Sequence, residues 1–238
     1  MGQKKLIRFA ELKTFTNVLQ NPEGMRGTWS SHFGNGNPIT LELACGKGEY
    51  AVGLAGFYPN RNFIGVDLKG NRLWVGARKA TAQGLTNVAF LRIQIDGITN
   101  FFAPGEVDEI WITFPDPQLR LSKDRKRLTH PKFLRLYQQV LKPGGLIHLK
   151  TDSPALYNFT KRVIEHCGCP LVEDMDDVHR QPSLKPELAI KTHYEALDIA
   201  GSNRVHYLSF RLPETLPGTE VDRTLHNLEK QDAGADGR

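Results

Sequence analysis

Residues 39–57 read ITLELACGKGEYAVGLAGF. The first six form a short apolar run of β type. Gly46 and Gly48 then bracket a single lysine, and EYAVGLAGF carries a helical pattern that stops before Pro59. A strand that passes through a glycine turn into a helix is the opening of a βαβ unit. The two glycines allow a tight turn and a close backbone approach to a ligand, and a helix starting near Glu49 points N–H groups at it.

The same alternation continues outward. NFIGVDL (62–68) is a second strand and NRLWVGARKATAQ (71–83) a helix closed by Gly84. NVAFLRIQID (87–96) and VDEIWITF (107–114) are the third and fourth strands. PKFLRLYQQVLK (131–142) is a helix ended by LKPGG, and LIHLKTD (146–152) is the fifth strand. Ser153 and Pro154 suit the N-cap and first turn of ALYNFTKRVIEHC, with Gly168 as its stop. NRVHYLSFRL (203–212) alternates like a half-buried strand and can pair antiparallel with CPLVEDM (169–175) at a sheet edge. Strands alternating with helices imply right-handed crossovers and an α/β fold, a mostly parallel sheet with helices on both faces. The expected boundaries are a basic, partly flexible extension at 1–37, one domain at 38–212, and an acidic tail without fixed structure at 213–238.

The chain has 238 residues, 24% of them charged, and a net charge of +5. That excess is local. The first 26 residues hold five Lys/Arg against two acids, residues 116–135 hold seven against two, and the tail from Pro213 holds six acids against three bases. Such clustering is the footprint of a polyanionic partner. Cys45, Cys167 and Cys169 include no CxxC pair, so neither a disulfide framework nor a zinc site is indicated, and no metal is expected. No apolar run approaches the ~20 residues needed to span a bilayer. A cytoplasmic protein is the expectation; nothing in the sequence chooses between monomer and homodimer.

In a doubly wound sheet, ligands lie beyond the carboxyl ends of the strands. Asp67 ends the second strand, where a carboxylate can accept from ribose hydroxyls, and Asp96 ends the third, where an acid can receive an adenine amino group. Taken singly, Asp67 could be a helix cap and Asp96 a turn residue. GKGEYA also satisfies the GxGxxA form of a dinucleotide site. Glu42 and Glu49 around the turn suit the cationic sulfonium of S-adenosylmethionine better than a diphosphate.

The stretch 112–131, ITFPDPQLRLSKDRKRLTHP, ends a strand on Asp116 between two prolines and then lays down six positive side chains by Lys132. ELACGKGEY, FIGVDL, ITFPDP, RKRL, LKPGG, KTD and the late THYE together resemble the bacterial tRNA (guanine-N7-)-methyltransferase family across about residues 41–212. The resemblance implies a class I methyltransferase fold with a seven-stranded sheet and an antiparallel edge strand. It also implies S-adenosylmethionine as donor, and guanine 46 of the tRNA variable loop as target. It places Glu42, Gly46, Gly48, Asp67, Asp96 and Asp116 at the cofactor, with Asp116 also catalytic, and Arg120, Asp152, Thr192 and Glu195 at the RNA. Where the family continues FPDP with Trp, Pro, Lys, Lys, Arg and His, this chain has Gln118, Leu119, Arg120, Leu121, Ser122 and Lys123. Thr192 and Glu195 also fit the spacing of a helix capping box, and Trp29 could stack on a base. The competing functions are a methyltransferase of another substrate, an NAD-dependent oxidoreductase and a non-catalytic tRNA-binding module.

Overall fold

The computed structural model describes residues 2–193, 195–197, 201 and 204–235. Eight strands form one sheet: β1 (Val18–Gln20), β2 (Ile39–Leu43), β3 (Asn62–Asp67), β4 (Val88–Arg92), β5 (Val107–Thr113), β6 (Leu141–Thr151), β7 (Leu171–Met175) and β8 (His206–Arg211). The described helices are α1 (Gly2–Leu12), α2 (Trp29–Phe33), α3 (Glu49–Phe57), α4 (Gly70–Ala82), α5 (Pro131–Val140), α6 (Pro154–His166), α7 (Pro186–Ala189) and α8 (Glu220–Ala235). In space the strands run β1-β4-β3-β2-β5-β6-β8-β7. All pairs from β1 to β6 are parallel, and β8 is antiparallel to both of its neighbours. Every residue of β2 and β3 is buried, as expected of central strands covered on both faces. Apolar clusters lie on the two sides of the sheet. One centres on Leu41, Ile110 and Tyr137, the other on Tyr50, Phe90 and Trp111.

The α/β class is as expected, with three differences. The sheet has eight strands rather than seven, because β1 joins an edge by pairing with β4, Val18 opposite Phe90. Three residues are too short a run to carry a strand pattern of their own. The antiparallel strand β8 is not at the edge; it lies between β6 and β7, and β7 forms the border. The third difference concerns both ends of the chain.

Residues 1–37 are not a separate extension. In α1, Leu12 is fully buried, Arg8 donates to Asn71 at 3.1 Å, and Glu11 accepts from Trp74 Nε1 at 2.7 Å, so the helix lies along α4. Trp29 is fully buried, its Nε1 donating to the Phe101 carbonyl at 2.9 Å while its ring stacks on Phe102. It is core and cannot stack on a base.

The tail expected to lack structure instead forms α8. Val221 and Leu225 are buried against the body of the domain. Charge completes what this thin apolar face begins. Arg135 Nη2 donates to both oxygens of Asp222 at 2.8 and 2.9 Å, and Arg127 binds Glu229 at 2.6 Å. These partners lie 87 and 102 residues apart, so no local periodicity reveals them. Leu225→Ala should therefore lower the unfolding free energy by about 2–4 kcal/mol in a guanidinium titration. A variant as stable as the parent would mean that the tail is only loosely held.

Candidate active site

The strand order reverses between β2 and β5, so the crevice beyond their carboxyl ends is the topological switch point. Two adjoining cavities of about 450 and 530 Å³ open there and share Ala44 and Asp67. Each is of a size that small-molecule sites occupy. The first has an apolar wall of Leu68, Ile93, Ile95 and Phe133, with Asp96 at its rim. The second is lined by Phe114, Asp116 and Asp152 together with Lys69 and Arg72 from the start of α4. The signal for these two basic residues was LKGNR directly after the second strand, which the acid-centred sequence reading passed over.

Asp67 is the hinge of the cleft. Its two oxygens accept from the Gly46 and Lys69 amides at 2.9 and 2.7 Å, tying the turn after β2 to the turn after β3. The Gly48 amide is also engaged, by the Cys45 carbonyl at 2.7 Å, and the Ala51 amide donates to Glu42 at 2.8 Å. Much of the donor set that would cradle a diphosphate is thus spent inside the protein. Gly48 itself answers to packing rather than to a ligand. With φ at +67°, a Cβ there would lie 2.4 Å from the Phe90 ring.

Glu42 does not line the cleft. It is 3% exposed beneath the turn, bridging the Ala51 amide of α3 and the Thr113 hydroxyl of β5. Burial pushes its pKa up to about 8, against the pull of those two hydrogen bonds. Of the four acids expected at the cofactor, Asp67, Asp96 and Asp116 line the cavities, and Glu42 lies buried below them, bracing the frame. Asp96 sits beyond the end of β4, in a 3-10 turn at Ile95–Asn100, and pairs with Lys132.

Asp116 stands on an exposed turn, where its Oδ1 accepts from the Gln118 amide at 3.0 Å. The turn is strained at both ends, with φ at +46° for Phe114 and +49° for Gln118. The left-handed region costs a side-chain-bearing residue roughly 1–2 kcal/mol. Arg120 is exposed next to it, at the N-cap of a 3-10 turn, Leu121–Lys126. Asp152 and Ser153 reach the same cavity from the end of β6.

Thr192 and Glu195 are not among the residues lining either cavity. The Thr192 hydroxyl accepts from the Glu195 amide at 3.1 Å, which is one half of the capping pattern. The Glu195 carboxylate meets the fully buried Lys150 at 3.0 Å. Lys150 also donates to the carbonyls of Leu188 and Ile190, anchoring the segment around α7, and its own burial pulls its pKa down. The late Thr-x-x-Glu is thus held as a strap by a lysine that sequence reasoning missed. Its signal was a charged residue inside an otherwise apolar strand, LIHLKT. The basic stripe divides as well. Arg127 and Arg135 point inward, whereas Lys123, Arg125 and Lys126 are exposed beside Arg120.

The first cavity, with its apolar wall and a charged margin of Asp96, Arg125, Lys126 and Lys132, joins a second of mixed charge, and together they have the size of a small-molecule site. Residues 36–207 match the family model described as a putative methyltransferase. A tRNA (guanine-N(7)-)-methyltransferase of Bacteroides thetaiotaomicron is 44% identical over 223 residues, covering 90% of this chain and 88% of that protein. Its counterpart in Porphyromonas gingivalis is 50% identical over 202 residues, covering 83% and 82%. The chain belongs to the tRNA (guanine-N(7)-)-methyltransferase family. As a member it is a methyltransferase with S-adenosylmethionine as its cofactor. Among solved structures, the 16S rRNA methyltransferase KamB superposes with a TM-score of 0.60 at 15% identity, covering 83% of this chain and 99% of that one. TrmN from Thermus thermophilus gives 0.52 at 22%, covering 88% and 49%. These two likenesses establish the fold. No helix among the described residues is long and apolar enough to cross a membrane.

The raised pKa of Glu42 carries a sign. The folded protein holds this proton more tightly than the unfolded chain does, so the group favours folding at low pH. That contribution fades as pH climbs from roughly 4.5 to roughly 8. Glu42→Gln should flatten this part of the stability–pH profile in thermal melts at pH 5, 6.5 and 8. An unchanged profile would show that Glu42 is ionised throughout.

Proposed function

We propose that this protein methylates N7 of guanine 46 in the variable loop of tRNA. The observation that carries the reading is the strained turn that sets Asp116 on the rim of a cavity shared with Asp67 and Asp152. S-adenosylmethionine, when bound, supplies an electrophilic methyl group on a sulfonium. Guanine N7 has a lone pair and no proton, so the chain needs no general base. Its task is to align the nucleophile and to steady the positive charge that grows on the purine.

Asp116 suits both duties. A carboxylate held between Pro115 and Pro117 is preorganised, and it can accept from guanine N1–H and the exocyclic amine, selecting guanine over adenine. Asp96, with the apolar wall beside it, would hold the adenine, and Asp67 would meet the ribose with the lone pairs its two amide contacts leave. Asp152, in the cavity that Lys69 and Arg72 also line, would contact the base edge. Arg120, Lys123, Arg125 and Lys126 would contact the tRNA backbone, adding affinity and salt dependence with little sequence information. Thr192 and Glu195 would act on the substrate by setting the wall of the strap rather than by touching the base. The reading of an NAD-dependent oxidoreductase is weakened by the Gly46 and Gly48 amides, which are already engaged within the protein.

Incubation with labelled donor and an unmodified tRNA transcript, followed by borohydride–aniline cleavage, should map one N7-methylguanine at position 46. Label at another nucleotide, or none, would overturn the assignment. Asp116→Asn should bind S-adenosylmethionine as the parent does yet lose at least about 100-fold in turnover. Parental rates in that variant would remove Asp116 from the chemistry.

A further inference from the structure

The turn at Phe114–Gln118 needs an external hold, because strained backbone persists only where its surroundings over-determine it. On the entry side the Phe114 amide donates to the Lys150 carbonyl at 2.8 Å, an extension of the sheet ladder. On the exit side the Arg127 Nε donates to the Pro117 carbonyl at 3.2 Å. This arginine is one of the six positive side chains after Asp116, the stripe that composition reads as the footprint of a polyanion. It is 2% exposed, its guanidinium carbon lies 4.3 Å over the Phe159 ring, and its Nη1 binds Glu229 of α8 at 2.6 Å. A buried guanidinium committed on three sides has no face left for a phosphate.

We propose that Arg127 is a positioning residue for methyl transfer to tRNA, holding the Asp116 turn in its working geometry, and that α8 anchors it through Glu229. The proposal rests on the functional reading above and adds the means by which the C-terminal helix takes part in it. Glu229 supplies the counter-charge that makes a buried guanidinium tolerable. Without it, Arg127 relaxes toward water and the Pro117 carbonyl loses its donor. A second tie keeps α8 in register with the same loop. Asp124, 5% exposed, accepts from His226 Nδ1 at 2.6 Å. The helix therefore grips the span between the strained turn and α5, not the body of the domain alone.

Glu229 is the place to cut, because it lies on the outer side of the latch and Arg127 can stay intact. Glu229→Ala and Glu229→Gln would be compared with the parent by steady-state kinetics on unmodified tRNA, by calorimetric affinity for S-adenosylmethionine, and by thermal melting. A displacement of about 1 Å at a reacting group can cost 100-fold, so Glu229→Ala should lower kcat by about tenfold or more. Its KM for tRNA and its affinity for S-adenosylmethionine should stay within about twofold of the parent, since Glu229 itself lines neither cavity. Glu229→Gln, which keeps an acceptor for Arg127 but not the counter-charge, should give a kcat between those of Glu229→Ala and the parent.

Parental kcat in Glu229→Ala, whatever its melting temperature, would overturn the proposal. So would a loss of kcat matched by an equal loss of donor affinity, the mark of general loosening. A rise in KM for tRNA alone, with a shallower salt dependence, would return this arginine to the RNA surface. A parent protein that forms no N7-methylguanine defeats the functional reading itself, before any variant is compared.

Discussion

One carboxylate joins the two halves of the cleft. Asp67, at the end of a central strand, accepts from the amide of the glycine turn after β2 and from the amide that leads into α4. Two strand-to-helix turns are thereby locked to each other at the switch point of the sheet. The lock also decides what the turn can bind. Amides aimed at a carboxylate within the protein are not available to a phosphate, and the remaining surface is apolar on one side and of mixed charge on the other.

The buried ionisable groups have a different task. Glu42 under the glycine turn and Lys150 under Phe114 face no cavity, yet each bonds three separate pieces of chain. Glu42 joins β2, β5 and α3; Lys150 joins β6, the α7 segment and the strap that carries Glu195. Burying such groups is costly unless their hydrogen bonds are completed, and here they are. That cost is offset by geometry, because each group fixes chain segments that are distant in sequence against its own strand.

Charge near the Asp116 turn divides by burial. The outer lysines and arginines remain in water, where their field can reach a polyanion. Arg127 and Arg135 turn inward to acids on α8. The acidic tail and the basic stripe, which composition presents as two opposite features, are partly one interaction. The helix that results would not be stable on its own. Its apolar face is thin, and ion pairs to the body supply the rest.

The order of strands and helices, the glycine turn and the acids at strand ends were legible in the sequence, because each depends on local periodicity or on a short motif. Asp67, Asp96, Asp116 and Asp152 fall around one cleft for that reason. What the sequence could not separate was a carboxylate that faces the cavity from one that braces it, as with Glu42, or a basic side chain that meets solvent from one that is buried, as with Arg127. Both distinctions depend on partners far along the chain, at Thr113 and at Glu229. The sheet edge at β1, the burial of Trp29 and the fold of α8 were hidden for the same cause. Local chemistry wrote the topology of this protein, and only long-range packing chose which of its charges would face a ligand and which would hold the fold in place.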